Sequence, residues 1–209
     1  IKYIGNDAFS SCTRLNSVIY TGSVAQWCNI TFGNSASNPL VRAHALYINE
    51  NLVTDLVIPD TTTKINAYAF QGASCLMSVS FSPAVDTIGS YAFSGCSGLI
   101  GLLDIPNTMT RIESYAFQNC NSISSLRLGN SVTYIGSNAF YGCSMIHELT
   151  IPNSVITIGS NAFGNCRQLR VVNYNATNCL YMASDVWTNC NLFTILNIGD
   201  NVTNILSQA

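Results

Sequence analysis

Charge is the scarcest thing in this sequence. Asp, Glu, Lys and Arg together make up 9% of its 209 residues, well under the roughly 25% of ordinary soluble domains, and Asn, Ser and Thr take the polar positions instead. The net charge of −2 is spread along the chain, with no basic stripe and no acidic tail, which argues against nucleic acid as the main partner. Long apolar runs are missing too. Nothing approaches the ~18 consecutive apolar residues of a membrane-spanning helix, so no membrane insertion is predicted. The opening Ile1-Lys2-Tyr3-Ile4-Gly5 lacks the basic region and apolar run of a signal peptide. Catalytic signatures are equally scarce. His44 and His147 are the only histidines, and neither has a partner at ligand-pair or triad spacing. The carboxylates are scattered, and no phosphate-binding glycine loop, nucleophile elbow or His-Glu-x-x-His is present. The expectation is a non-enzymatic chain with no cofactor and no metal.

What the sequence has is a period. Ala-Phe recurs with Phe9, Phe70, Phe93, Phe117, Phe140 and Phe163, and Trp187 continues the series; after the first long gap the spacing is 23 or 24 residues. Five residues before each Phe stands Ile4, Ile65, Ile88, Ile112, Ile135 or Ile158. Cys12, Cys96, Cys120, Cys143, Cys166 and Cys190 follow three residues later, and a large apolar residue three beyond that. Next comes a strand-like segment such as Glu148-Leu149-Thr150-Ile151, then a Pro-Asn or Gly-Asn turn. A unit this short has one apolar face and cannot bury it alone; stacked on its neighbours it forms a solenoid with a continuous core. Alternation puts Leu149 and Ile151 inward and Glu148 and Thr150 outward. Gly89, Gly136 and Gly159, each after the Ile, suit a tight turn and supply φ > 0 if it is needed.

The unit Ile151-Pro152-Asn153-Ser154-Val155 … Ile158-Gly159-Ser160-Asn161-Ala162-Phe163-Gly164-Asn165-Cys166 … Leu169 resembles the BspA-like leucine-rich repeat. The resemblance implies a leucine-rich-repeat solenoid with a parallel sheet on the concave side and short helical or irregular convex segments. It also implies a secreted or cell-surface protein, often adhesive. One domain is expected over residues 1–209, with truncated repeats at both ends. Residues 21–57 form an enlarged irregular repeat. Within it Thr21 to Cys28 reads as a short capped helix, Asn38 to Ala43 as a helical turn with Pro39 at its first position, and Leu46 to Val53 as a hairpin with a polar tip.

Six of the nine cysteines share one repeat position and none forms a Cys-x-x-Cys pair, so the reading is a ladder of buried thiols acting as small apolar residues. Neighbouring rungs come close enough for an occasional disulfide, with Cys28, Cys75 and Cys179 off the ladder. The outward positions of the concave strands are the candidate partner-binding site: Ser78, Ser80, Asp104, Ser125, Arg127, Glu148, Thr150, Val171, Asn173, Ile195 and Asn197. Arg127 and Glu148 are expected to form a surface ion pair across adjacent rungs. Asn29-Ile30-Thr31, Asn175-Ala176-Thr177 and Asn201-Val202-Thr203 match the glycosylation acceptor pattern. The predicted function is adhesion: recognition of an extracellular protein or glycan of a host or neighbouring cell. A structural spacer, or an accessory region of a larger secreted enzyme, is the alternative. Uncapped ends predict exposed apolar surface at the last repeat and end-to-end self-association.

Overall fold

The computed structural model describes the chain apart from Leu206 and Ala209, with Ser207 and Gln208 described by their backbone alone. Each regular turn of the solenoid has three backbone segments. In the turn that begins at Glu148 they are a long strand, Glu148–Ile151, a two-residue strand, Thr157–Ile158, and a run of tight turns carrying Ala162-Phe163. Leu149 and Ile151 are buried while Glu148 and Thr150 are exposed, as the alternation requires. Pro152 follows at once and, having no N–H to donate, ends the strand.

The long strands pair in parallel: Asp55–Val57 with Ser78–Ser80, Gly101–Asp104 with Ile123–Arg127, and Glu148–Ile151 with Val171–Tyr174 and then Ile195–Ile198. The short strands, of two residues each except the three-residue Tyr181–Ala183, form a second parallel ladder of seven members, from Lys64–Ile65 to Ser207–Gln208. This ladder occupies ground that the sequence suggested would be helical or irregular. Helices are confined, among the described residues, to the enlarged repeat.

The third segment forms a ladder of its own. The N–H groups of Tyr91, Phe93 and Gly95 donate to the carbonyls of Ser114, Ala116 and Gln118 in the next turn, and those of Tyr115, Phe117 and Asn119 to Ser137, Ala139 and Tyr141. In each case the donor lies in the earlier turn and the acceptor in the later. Two residues per turn adopt left-handed backbone to make this possible, for example Tyr91 (φ 59°) with Gly95 (φ 75°), and Asn161 (φ 52°) with Asn165 (φ 56°). Beneath it the aromatic rings of successive turns stack. Phe93 and Phe117 lie 5.2 Å apart and within 2° of parallel, Phe140 and Phe163 5.4 Å apart, and Trp187 continues the column 5.2 Å from Phe163.

Gly89, Gly136 and Gly159 do not take positive φ. Their role is close approach: a Cβ on Gly136 would lie 2.4 Å from Ser114 N, and one on Gly89 2.6 Å from Ala67 N. The short-strand turns pack backbone on backbone, so no side chain fits between them.

The enlarged repeat keeps the stacking. Tyr3–Ile4 pairs in parallel with Thr31–Phe32, and Val18–Tyr20 with Leu46–Ile48. Helix Val24–Cys28 starts with a capping box in which Ser23 and Gln26 exchange bonds. Trp27 is buried and its Nε1 donates to Ala69 O at 2.7 Å, tying this repeat to the next Ala-Phe turn. Helix Leu40–Ala43 follows Pro39, which is its N-cap rather than its first helical residue. Leu46–Ile48 and Asn51–Leu52 pair antiparallel around Asn49 and Glu50, both in left-handed conformation, which makes the polar-tipped hairpin.

All nine cysteines are free thiols. On the ladder, Cys96, Cys120, Cys143, Cys166 and Cys190 are buried, and each S–H donates to the carbonyl of the Phe one turn earlier, Cys120 to Phe93 at 3.1 Å and Cys143 to Phe117 at 3.3 Å. Burial pushes the pKa of each up, and that of the equally buried Cys28 to about 12. Cys12 departs from the expected ladder. It is exposed, and its thiol makes no bond to a Phe carbonyl among the described residues. Cys179 is buried off the ladder and Cys75 half-buried, its S–H donating to Val53 O at 3.4 Å.

Candidate partner-binding face

The outward side chains of the long strands fall into two columns set by register. Asp104 stands directly opposite Arg127, and further along Thr150, Asn173 and Asn197 stand opposite one another. Glu148, Val171 and Ile195 share the other column, and Leu102 faces Ser125 in the Gly101–Asp104 and Ile123–Arg127 pair.

This register decides the ion pair. Arg127 does not pair with Glu148. Its Nη2 binds Asp104 Oδ2, which lies straight across the ladder, and the contact holds the guanidinium above its ordinary pKa. Glu148 instead accepts from Asn173 Nδ2 at 2.7 Å. The same amide nitrogen lies 3.3 Å from Thr150 Oγ1, and Asn173 Oδ1 accepts from Asn197 Nδ2 at 2.7 Å. A hydrogen-bonded strip thus crosses three turns without a net cation. At the other end Ser78 Oγ donates to Asp55 Oδ1 at 2.5 Å, and this bond, with one from Thr54, holds the Asp55 carboxyl below its usual range.

Of the eleven predicted positions, Asp104 with Arg127 and Glu148 with Thr150, Asn173 and Asn197 come together through side-chain bonds. Ser78 and Ser80 lie on a separate strand pair. Ser125 is exposed beside Leu102, Val171 is half-buried, and Ile195 is 48% exposed at the last long rung. Leu196 and Ile198, inward by pattern, are exposed there as well, at 48% and 53%.

The sequence reading missed the apolar part of this face. Val57, Met77, Ile100 and Leu102 are exposed, Leu102 to 57%. Met77, Ile100 and Leu102 gather where the ladder is interrupted between Ser78–Ser80 and Gly101–Asp104, at a bulge between Gly101 and Leu102, while Val57 lies one strand earlier, opposite Ser80. The signal was available: Cys96 to Pro106 is one residue longer than Cys143 to Pro152, and Gly101 (φ 73°) absorbs the extra residue. Also unforeseen was a surface stack of Tyr68, Tyr91 and Tyr115, with Tyr91 and Tyr115 at 4.4 Å and within 4° of parallel. Burial and the neighbouring hydroxyls push the Tyr91 phenol up. Arg111 lies 4.2 Å over the Tyr134 ring and bonds Glu113 at 2.9 Å. His44 Nδ1 lies 2.9 Å from Gly72 O. Among the described residues, no group of three His, Cys, Asp or Glu side chains is placed to hold a metal, and no helix is long and apolar enough to cross a membrane.

The model of the BspA type leucine-rich repeat region matches six copies, over residues 1–42, 40–102 and 100–209. The chain belongs to the BspA-type leucine-rich-repeat family. Among solved structures, a T. pallidum leucine-rich-repeat protein is similar at 27% identity and TM-score 0.66, over 75% of this chain and 71% of that one. Leucine-rich-repeat proteins from Eubacterium ventriosum (20% identity, TM-score 0.71) and Bacteroides ovatus (22%, 0.62) share the fold over 97% of this BspA-type chain. A leucine-rich cell surface protein of Faecalibacterium prausnitzii shares it at 18% identity and TM-score 0.57, over 92% of this chain and 62% of that one. The chain spans 59% of the Eubacterium protein and 53% of the Bacteroides protein. No curated protein matches the sequence.

Proposed function

We propose that this BspA-type chain is the binding part of a secreted or cell-surface adhesin, engaging an extracellular protein or glycan of a host or neighbouring cell through its long-strand face. The observation that carries this reading is the composition of that face. A hydrogen-bonded polar strip from Glu148 to Asn197 lies on the same side as an exposed apolar cluster around Leu102. Apolar anchors within a polar surround are what protein interfaces use, and a family of repeat proteins with one cell-surface structural neighbour fits an extracellular setting. Catalysis has no part in it.

The test is binding to immobilised matrix proteins and glycans, with a variant carrying Arg127→Ala, Glu148→Ala and Asn173→Ala. Saturable binding that the variant loses, with unchanged thermal unfolding, is the expected result. Absence of binding across the panel would sink the adhesive reading in favour of a spacer. The apolar side chains exposed at the last rung also support end-to-end association of the 209-residue chain. A sedimentation coefficient that rises with concentration is expected, and one that stays monomeric into the millimolar range would dismiss it.

A further inference from the structure

We propose a second site, outside the two outward columns and sharing only Thr150 with them, that binds an uncharged glycan chain. It is an open groove of about 530 Å³, within the 300–1,000 Å³ usual for ligand sites, where the long strands turn toward the short ones. Asn130, Asn153, Asn175 and Asn201 line it, one amide from each of four successive turns, together with Thr177 and Asp200.

Among the described residues, none of these four amide side chains hydrogen-bonds to the protein, although Asn130 offers its backbone N–H to Asn107. Other amides in the same turns are committed: Asn161 to Asp185, Asn165 to Tyr141, Asn173 to Glu148 and Asn197 to Asn173. Gly199 leaves room for the Asn175 amide, since a Cβ there would lie 2.6 Å from Asn175 Oδ1. The groove therefore holds unspent donors and acceptors in alternation. An amide offers both, and so does a sugar hydroxyl. Half-buried Val202, with the largely buried Leu128 and Pro152 beneath the amides, forms an apolar floor against which the C–H face of a pyranose can rest. No Lys or Arg lines the groove and one carboxylate does, which turns away sulfated and acidic polymers. Successive turns rise by about 4.8 Å, so a polymer lying along the axis meets a fresh amide at every turn, and weak contacts add.

The experiment is native electrophoresis in gels containing dextran, mannan or a soluble β-glucan, with heparin and chitosan as charged controls. The protein is produced without N-glycans, because Asn175 and Asn201 stand in acceptor patterns. We expect at least one neutral polysaccharide to retard the protein. Asn153→Ala with Asn175→Ala should weaken that retardation at least tenfold with the thermal midpoint unchanged, and Asn130→Ala alone should weaken it less. The Arg127, Glu148 and Asn173 variant should be retarded like the parent, which separates this site from the long-strand face. Retardation by none of the neutral polymers, equal retardation of the double variant, or preference for heparin or chitosan would each overturn the proposal.

Discussion

At the scale of single residues, two side-chain properties of the repeat carry consequences that can be measured. Gly136 is there because its Cα packs against the backbone of Ser114. Gly136→Ala should destabilise the fold by about 1–3 kcal/mol or more through overpacking, read from urea unfolding; an unchanged midpoint would contradict the close-approach account. The buried thiols predict a pH dependence. Cys28, Cys96, Cys120, Cys143, Cys166 and Cys190 all have pKa values raised by burial in the folded state. The unfolded chain therefore loses these protons first, and their stabilisation is complete below pH ~8.5 and lost progressively above it. Stability should fall between pH 9 and 10.5, and less steeply with Cys120→Ser and Cys143→Ser, whose hydroxyls do not ionise. A flat profile up to pH 10.5 would refute this. The thiol ladder was legible because its period was; the role of the glycines was not, since a sequence shows that a Cβ is missing but not which neighbour excludes it.

At the scale of elements, the Phe column is the main support. Phe117 is fully buried between Phe93 and Phe140, so Phe117→Ala should cost about 3–5 kcal/mol and unfold turns on both sides together. A loss below about 1 kcal/mol would mean that the stack relaxes around the hole. In the hairpin, Glu50 sits at φ 67°, where a non-glycine residue pays about 1–2 kcal/mol. Glu50→Gly should raise the thermal midpoint by a few degrees, offset in part by the freer unfolded chain; a lowered midpoint would show that Glu50 makes a contact worth more than its strain. The capped helix and the hairpin could be read from Ser23, Gln26 and the Asn49-Glu50 tip, because caps and turns are local chemistry. The two-residue strands could not, since a pair such as Thr157–Ile158 is too short to show alternation and is strand only through its neighbours. The Arg127 partner was misread for a related reason: adjacency along the stack was visible, but the column each side chain occupies depends on register.

At the scale of the whole molecule, the repeat made the architecture readable, whereas the two proposed binding surfaces depend on irregularities. The apolar cluster at Leu102 follows from a single extra residue, and the amide groove from unpaired Asn side chains that only a three-dimensional structure separates from paired ones. One further property belongs to this scale alone. In the backbone ladder on the Ala-Phe side the inter-turn bonds run from an earlier N–H to a later carbonyl, so its peptide dipoles of about 3.5 D each add along the axis. That side is in this sense an electret with its positive pole toward the last turn, opposite in sense to that of an α-helix, while the short-strand side opposes it, since the N–H groups of Gly89, Gly136 and Gly159 donate back to Ile65, Ile112 and Ile135 of the turn before.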